Sequence, residues 1–300
     1  MSTNEKLQVS VVIPAYNEET GIAGVVEGLR AALEGAGLRR DSDFELLVVD
    51  DGSTDGTAAA AEGAGARVLR HPLNRGYGRS LLTGFAAARF PWALMIDADG
   101  SYPPADAARL LAAAPGFDMV IGARQGSLFW GSPLRAFMRW VYLRLASFVA
   151  GESVPDANSG LRLIRREALD RSMPVLCYGY SLSTTMTLSF LQGGRFVRFV
   201  PVDYVARKGR SKVRGLRDIP RTLQIMTQVI LYYNPLKFAV FLCVVPGLFG
   251  LFFLLRFLMF PNLADLALLM FCAFAKLGVF LCGCILDSLR FGRTRPSLLP

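Results

Sequence analysis

Pro91-Trp92-Ala93-Leu94-Met95-Ile96-Asp97-Ala98-Asp99 is an apolar, strand-like run that ends in two carboxylates one residue apart. The residues that follow, Gly100-Ser101-Tyr102-Pro103-Pro104, are turn formers, so the carboxylates are expected where a strand gives way to a loop. Two carboxylates this close offer the oxygen ligands that a hard divalent cation prefers. A single Asp-x-Asp is more often a solvated turn, so the interpretation as a cation site depends on the rest of the chain.

Two apolar runs nearer the N-terminus end in acidic, loop-forming segments in the same way. Residues 8–13 lead into Pro14-Ala15-Tyr16-Asn17-Glu18, and residues 44–49 lead into Asp50-Asp51-Gly52-Ser53-Thr54-Asp55. Ala-rich segments typical of helices occur at 21–35, 76–89 and 105–114. This alternation predicts an α/β domain built on a mainly parallel, Rossmann-like sheet with helices on both faces. Because ligands bind beyond the carboxyl ends of such strands, the three acidic segments are expected to meet at one edge.

The C-terminal part of the chain is unusually apolar. Hydrophobic residues make up 52% of the 300 residues, residues 238–255 carry no charge, and residues 266–286 are apolar except for Lys276. Each stretch approaches the ~20 residues that cross a bilayer as a helix, which predicts two membrane spans joined by a turn at 260–264. A buried hairpin in a soluble core is the alternative. Lys276 would be costly against lipid, so it is expected to face a helix partner or to snorkel, and homo-oligomerisation stays open.

Basic residues flank the predicted spans, at 208–237 and 290–295, whereas the connecting turn has none apart from Arg256 at its edge. This asymmetry predicts a protein of the inner, cytoplasmic membrane with the N-terminal domain and both termini on the cytoplasmic side. The absence of an N-terminal signal-peptide pattern agrees. The net charge of +9 could suggest nucleic-acid binding, but basic residues interleaved with aromatic and Leu residues beside the spans favour anionic lipid and no nucleic acid.

Two segments have the composition of helices that lie in a membrane interface. Residues 132–149 combine large apolar side chains at helical spacing with Arg135, Arg139 and Arg144, which fits a core helix and an interface helix equally well. For the segment directly before the first span the interface interpretation is favoured. The predicted organisation is a cytoplasmic α/β domain at 1–215, an amphipathic juxtamembrane helix at 216–235, a two-helix membrane hairpin at 236–290 and a cytoplasmic tail at 291–300.

Six motifs follow one another along the first domain. They are VVIPAYNE at 11–18, VVDDGSTDGT at 48–57, NRGYG at 74–78, DAD at 97–99, NSGLRL at 158–163 and RKGRSK at 207–212. With the two C-terminal spans, they make the chain resemble the polyprenyl-phosphate glycosyltransferases of glycosyltransferase family 2. The resemblance implies a GT-A fold and inverting transfer of a sugar from a nucleotide donor to a polyprenyl phosphate such as undecaprenyl phosphate. UDP-glucose is the first expected donor, and GDP-mannose is the second.

The resemblance also implies roles for residues of the acidic segments. Those expected to bind the donor nucleotide are Pro14, Tyr16, Glu18 and Asp51, the last of them at the base or ribose. Asp97 and Asp99 would hold Mg²⁺ or Mn²⁺ against the donor diphosphate, which gives Asp99 a catalytic role. The family often has Gln two residues after the second Asp, and Ser101 stands there in this chain.

The acceptor half of the reaction requires cationic hydrogen-bond donors. A phosphate monoester is already an anion at pH 7, so it needs to be held in line rather than deprotonated by a strong base. The candidates to hold it are Arg124, Arg135, Arg139, Arg207, Arg210, Ser211 and Lys212. We hypothesise that the basic loop at 207–214 closes over the donor and acceptor phosphates, which gives Arg210 a catalytic role. Asp156 is the candidate for a base or an acceptor-positioning carboxylate, and a loop cap is the alternative.

Two other functions remain as alternatives. A processive polysaccharide synthase shares the donor motifs, but such enzymes usually carry Gln-x-x-Arg-Trp, and here Ala136 occupies the Gln position before Arg139-Trp140. Two spans are also too few for a polymer channel. A catalytically inactive membrane scaffold is disfavoured by the intact acidic motifs. His71, the only histidine, is expected to be a turn residue.

Overall fold

The computed structural model describes residues 7–172, 182–205 and 215–293. The chain divides into two compact units, Met1–Thr222 and Leu223–Pro300. Strands β1 to β7 span Val9–Ala15, Phe44–Asp50, Arg67–Arg70, Trp92–Met95, Met119–Gln125, Arg162–Arg165 and Val197–Asp203. Helices α1 to α8 of the first unit span Glu19–Gly35, Thr57–Gly63, Tyr77–Ala87, Ala105–Ala112, Ser127–Trp130, Pro133–Ala150, Arg166–Ser172 and Leu182–Gln192. The remaining helices, α9 to α12, span Gly215–Tyr233, Pro235–Leu242, Val244–Met259 and Leu263–Arg293.

The first unit is built on one seven-stranded sheet in the order β3-β2-β1-β4-β6-β5-β7. Strand β6 is antiparallel to both of its neighbours, and every other adjacent pair is parallel. The mainly parallel α/β sheet predicted from the alternation of strands and helices is therefore confirmed. Because two antiparallel pairings restore the original direction, β5 runs the same way as β4, and their carboxyl ends lie at the same edge.

Strands β1, β2 and β4 are buried throughout, as expected for parallel strands covered on both faces. Successive side chains of β1 enter different apolar clusters: Val11 packs in the cluster that contains Leu29 of α1, and Val12 packs in the cluster that contains Leu81 of α3. Helix α3 lies close to the sheet because Gly84 has no side chain, and a Cβ at this position would overlap the side chain of Val12. This packing fixes the strand ends that carry the acidic segments.

The burial of helix α6 decides between the core-helix and interface-helix interpretations of residues 132–149. Only its C-terminal end is packed in the unit, where Ala146 and Val149 are buried, whereas Leu134, Phe137 and Trp140 are 70%, 62% and 49% exposed. A core-helix interpretation of the whole segment is therefore wrong. Most of α6 presents aromatic and aliphatic side chains at the surface.

The second unit contains two helical stretches that are long and apolar enough to cross a membrane, Pro235–Met259 and Leu263–Leu289. The first is divided between α10 and α11 because Pro246 has no N–H to donate to the carbonyl of Leu242, where α10 ends. Large apolar side chains cover the outside of these helices, including Leu248, Phe271 and Phe274. This exposure contradicts the alternative of a hairpin buried in a soluble core.

Polar contacts close the turn between the two stretches. Helix α12 begins at Leu263, one residue before the end of the predicted turn, because the Asn262 side chain accepts a hydrogen bond from the backbone N–H of Asp265 at 2.8 Å. The buried Asp265 carboxylate lies 3.1 Å from the guanidinium of Arg256. Helix α12 also packs tightly on α10, since a Cβ at Gly283 would overlap Ala239. Lys276, the single Lys or Arg of the stretch Leu263–Leu289, has an exposed side chain.

Candidate active site

The three acidic segments meet at the carboxyl edge of the sheet, as predicted. Strand β1 pairs in parallel with β2 on one side, where Ala15 faces Asp50, and with β4 on the other, where Val12 faces Met95. Adjacent strands lie ~4.8 Å apart, so β2 and β4, which flank β1, are about 10 Å apart across the sheet. A donor nucleotide and its diphosphate can therefore reach all three segments at once.

The loops after β1 and β2 are joined to each other by hydrogen bonds. Asn17 adopts the left-handed conformation with φ 51°, and its side-chain oxygen accepts from the Thr54 N–H at 2.9 Å. The backbone N–H of Asn17 donates to the Ser53 hydroxyl, also at 2.9 Å, and the N–H of Glu18 donates to Thr57 Oγ1 at 2.8 Å. Tyr16 and Glu18 are half-buried in this loop, and Pro14 is buried within β1.

Asp51 is held at the N-terminus of α3. Its Oδ2 accepts from the N–H of Gly76 at 2.7 Å, and its Oδ1 accepts from the N–H of Arg75 at 3.0 Å. His71 Nδ1 lies 2.7 Å from Asp51 Oδ1, and His71 Nε2 lies 3.0 Å from Thr83 Oγ1. His71 lies in the loop directly after β3, where a turn residue was expected, and its ring also joins the carboxylate of Asp51 to helix α3.

Asp97 and Asp99 follow β4 and are half-buried. The hydroxyl of Tyr77 donates to Asp97 Oδ1 at 2.8 Å, and the N–H of Ser101 donates to Asp99 Oδ1 at 3.0 Å. Burial and the adjacent Asp97 carboxylate raise the pKa of Tyr77 well above its usual value, so the phenol stays protonated and keeps donating. Ser101 is buried, and its hydroxyl has no hydrogen-bond partner in the part of the chain described.

The two carboxylates fit a hard divalent cation that completes its coordination with ligand oxygens. Among the described residues, no group of three or more His, Cys, Asp or Glu could hold a metal by itself. Mg²⁺ is typically bound by one or two carboxylates together with substrate phosphates and water, and Mn²⁺ also suits oxygen donors. Asp97 and Asp99 therefore suit an ion that arrives with a diphosphate.

Asp156 and Arg124 form a buried ion pair at the same edge of the sheet, at the carboxyl end of β5. Arg124 donates from Nε to Asp156 Oδ2 at 2.7 Å and from Nη2 to Oδ1 at 3.0 Å. The N–H of Arg124 and the N–H of Asn158 also donate to this carboxylate, at 3.2 and 3.1 Å. Four accepted hydrogen bonds use the approximately four lone-pair directions of a carboxylate, and the Asp156 residue is 1% exposed.

Arginine and aromatic side chains pack together next to this ion pair. The guanidinium of Arg124 lies 5.2 Å from the ring centre of Phe129 and 5.4 Å from that of Tyr204. Arg139 of α6 lies 4.2 Å from the ring centre of Phe129. Burial opposes ionisation of both arginines, but the Asp156 carboxylate helps to raise the pKa of Arg124 well above its usual value, whereas the pKa of Arg139 is lowered. Both stay cationic at neutral pH.

The structure thus brings together two of the residues expected to bind the acceptor phosphate, Arg124 and Arg139. Arg135 is exposed on α6, near Gly131. The remaining candidates, Arg207, Arg210, Ser211 and Lys212, lie outside the described residues.

Several residues of the site were not identified by sequence reasoning. His71, Tyr77 and Tyr102 all contact acidic or loop residues that are distant in sequence, and Arg162 is buried beside the loop that precedes β6. Tyr77 lies in the motif NRGYG and Arg162 lies in NSGLRL, so the sequence motifs did point to these two positions. Their partners could be found only from the fold.

The sheet order, with acidic segments after three adjacent strands and two apolar C-terminal helices, defines a GT-A domain with candidate membrane spans. The model of the family described as glycosyl transferase family 2 matches residues 10–172, more than half of the 300 residues. The chain belongs to glycosyl transferase family 2.

Individual relatives agree with this assignment. Undecaprenyl-phosphate 4-deoxy-4-formamido-L-arabinose transferase from Enterobacter sp. (strain 638) is 31% identical over 228 residues, which cover 73% of this chain and 67% of the relative. Undecaprenyl-phosphate mannosyltransferase from Micrococcus luteus is 29% identical over 224 residues, covering 70% and 88%. A crystal structure of glucosyl-3-phosphoglycerate synthase from Mycobacterium tuberculosis with Mn²⁺, UDP and glucosyl-3-phosphoglycerate has a TM-score of 0.55 and 24% identity, covering 75% of this chain and 79% of the other. At this identity the likeness establishes the shared fold.

Proposed function

We propose that this protein transfers a sugar from a nucleotide-sugar donor to a polyprenyl phosphate at the cytoplasmic face of a membrane, with inversion at the anomeric carbon. The observation that carries the proposal is the pairing of opposite charges at one sheet edge. Carboxylates suited to a cation follow β4, and the Arg124–Arg139 cluster lies at the carboxyl end of β5. Relatives named for undecaprenyl-phosphate substrates support this choice of acceptor.

On the donor side, the loops after β1 and β2 would bind the nucleotide, with Tyr16 and Glu18 beside it. Asp97 and Asp99 would hold Mg²⁺ or Mn²⁺, which supplies Lewis-acid stabilisation of the diphosphate charge that develops as the leaving group departs. Tyr77 keeps the Asp97 carboxylate oriented by its hydrogen bond. UDP-glucose is the first donor to test, and GDP-mannose is the second.

On the acceptor side, an oxygen of the phosphate monoester attacks the anomeric carbon while the bond from that carbon to the nucleoside diphosphate breaks. The single displacement inverts the anomeric configuration. The attacking oxygen is already anionic, so no strong base is needed, and the arginines hold the phosphate in line. We assign Asp156 to the positioning of Arg124 rather than to proton removal, because its accepted hydrogen bonds leave no free lone pair.

The lipid acceptor requires the site to work beside a membrane. The two apolar helical stretches are suited to spanning it. Helix α6 would lie in the interface, since its exposed Phe137 and Trp140 stand among arginines and since Arg139 on the same helix joins the acceptor cluster. Catalysis at the cytoplasmic leaflet follows from the positive-inside distribution of basic residues.

The proposal is tested by product analysis with full-length protein in membranes or nanodiscs. The reactions contain Mn²⁺ or Mg²⁺, undecaprenyl phosphate and, in parallel, UDP-glucose, GDP-mannose or another nucleotide sugar. Mass spectrometry is expected to identify a polyprenyl-phosphate monosaccharide, and NMR of that product reads the anomeric configuration. Parallel reactions replace the lipid with 3-phosphoglycerate, the acceptor type named in the structural relative.

The outcomes separate the alternatives. A lipid-linked monosaccharide that is absent without divalent cation supports the proposal, whereas a lipid-linked polymer would indicate a processive synthase. Transfer only to phosphoglycerate would reject the lipid acceptor. Absence of product with every donor, in protein shown to be folded, would favour the inactive scaffold.

A further inference from the structure

A buried arginine holds the loop that precedes β6. Arg162 is 0% exposed, and it donates from Nε to the carbonyl of Ser159 and from Nη2 to the carbonyl of Ala157, both at 2.9 Å. Its Nη1 donates to the hydroxyl of Thr187 on α8 at 2.7 Å. All three nitrogens of the guanidinium are thus engaged within the first unit. The arginine fixes the backbone of residues 157–160, which we call the Gly160 loop.

The Gly160 loop is also attached to the segment that follows Asp99. The hydroxyl of the buried Tyr102 accepts from the N–H of Gly160 at 2.7 Å and lies 3.3 Å from Ser159 Oγ. Ser159 Oγ in turn donates to the carbonyl of Gly122 in β5 at 2.6 Å. These bonds leave the loop little freedom to shift toward or away from β4.

Gly160 lies directly against the carboxylate of Asp97. A Cβ at position 160 would overlap all three atoms of that carboxyl group. Gly160 does not adopt a positive φ, so close approach, rather than backbone conformation, is the reason that glycine is required here. The Asp97 carboxylate is therefore confined between the Gly160 backbone and the hydroxyl of Tyr77.

We propose that Gly160 and Arg162 are positioning residues for the reaction: Arg162 fixes the Gly160 loop, and Gly160 sets the place and orientation of the Asp97 carboxylate. This inference rests on the proposed function, in which Asp97 serves a divalent cation. Arg162 does not bind the donor or acceptor phosphate, because its side chain is completely buried and its nitrogens donate to loop carbonyls and Thr187. It acts through the loop.

The test measures Mn²⁺ binding to full-length protein in detergent in the presence of UDP, by the loss of the free Mn²⁺ signal in electron paramagnetic resonance. Gly160→Ala and Arg162→Lys are compared with matched controls. Gly24→Ala adds a methyl group on α1 where nothing lies within 4 Å, and Arg165→Lys changes an exposed arginine of the same strand as Arg162. Both test variants are expected to bind Mn²⁺ about tenfold more weakly or worse, and the controls are expected to match wild type.

Further readouts separate positioning from general stability. The midpoint of thermal unfolding shows whether each variant is folded at the assay temperature, and excess Mn²⁺ is expected to restore part of the activity of Gly160→Ala. Folded variants that are less heat-stable but bind Mn²⁺ like wild type would overturn the inference. Tyr102→Phe is the fallback if Gly160→Ala and Arg162→Lys do not fold, because it removes only the hydroxyl that accepts the Gly160 N–H. In that case an unchanged Mn²⁺ affinity of Tyr102→Phe would overturn the inference. If wild-type protein binds no Mn²⁺ with UDP and none with GDP, the proposed function itself fails.

Discussion

Asp156→Asn tests whether the Asp156 carboxylate positions Arg124 or accepts a proton. The two side chains are 2% and 15% exposed and are joined by two short hydrogen bonds of 2.7 and 3.0 Å. Removing one partner of a buried ion pair costs about 3–5 kcal/mol, because the other charge stays buried without compensation. Arg124 keeps some exposure and a bond to the Asn158 carbonyl at 3.0 Å, which places the expected cost near the lower limit, about 3 kcal/mol.

This loss of unfolding free energy can be measured for the first unit separately, within full-length protein. All three tryptophans of the chain, Trp92, Trp130 and Trp140, lie in that unit, so intrinsic fluorescence follows its thermal unfolding in full-length protein. A domain of this size shifts by roughly 2–4 °C per kcal/mol, so Asp156→Asn should unfold about 6–12 °C below wild type. Glu152→Gln, which neutralises an exposed carboxylate in the same region, is the control and should shift little.

Kinetics complete the test. If Asp156 holds Arg124, the KM for the polyprenyl phosphate should rise about 10-fold or more, as expected when a charge-assisted hydrogen bond worth roughly 1.5–3 kcal/mol is lost. The double variant with Arg124→Gln should be less impaired than the sum of the two single variants, since residues in direct contact are not additive. A midpoint unchanged from wild type, with kcat reduced and the acceptor KM unaltered, would refute this assignment and restore Asp156 as a base.

Three further predictions concern acid stability, donor binding and membrane binding. Burial raises the pKa of Glu45, but bonds from Ser10 and Arg89 lower it below 4.5 overall. The lowered pKa of Glu45 stabilises the folded state at pH values above the pKa that Glu45 has in the unfolded chain. This stabilisation is lost as the pH falls through the pKa of Glu45 in the folded protein. Glu45→Gln should therefore lower the thermal midpoint at pH 7 and flatten its decline between about pH 5 and 3, and an unchanged pH profile would contradict this. In steady-state kinetics, His71→Leu should raise the KM for the nucleotide sugar several-fold and leave the KM for the acceptor near wild type, because Asp51 loses a side-chain partner. Equal increases in both KM values would argue against this prediction. Replacing both Phe137 and Trp140 with serine should raise the KM for the acceptor in nanodiscs that contain anionic lipid. UDP binding, measured by calorimetry, should stay unchanged. An unaffected acceptor KM would reject the interface role of α6.

Local patterns in the sequence were sufficient to predict the main elements of the fold. The runs that became β1, β2 and β4 are mainly apolar because both faces of these strands are covered, and each is followed by loop-forming acidic residues. The two apolar stretches near the C-terminus were equally clear because length and composition alone define a candidate span. The gathering of the acidic segments at one edge follows from the rule for parallel strands.

Pairings between distant segments could not be predicted in the same way. Strand β6 enters the sheet antiparallel between β4 and β5, which brings Gly160 against Asp97 although the two are far apart in sequence. The ring of His71 joins Asp51 to α3, a contact that no local spacing indicates. Composition likewise left the burial of α6 undecided, since aromatic and basic residues at helical spacing suit both a core and an interface.

The sequence by itself therefore determined where β1, β2 and β4 form and stop, which carboxylates follow them and which stretches suit a bilayer, because periodicity and composition act within a few neighbouring residues. Only the tertiary structure decided how Asp97, Asp156 and Arg124 are held. Their orientation depends on hydrogen bonds between distant segments, such as those from Tyr77 to Asp97 and from Arg124 to Asp156, whose partners are chosen by strand order and packing. Side-chain geometry at the site is a property of the folded core, and no short segment of the chain contains it.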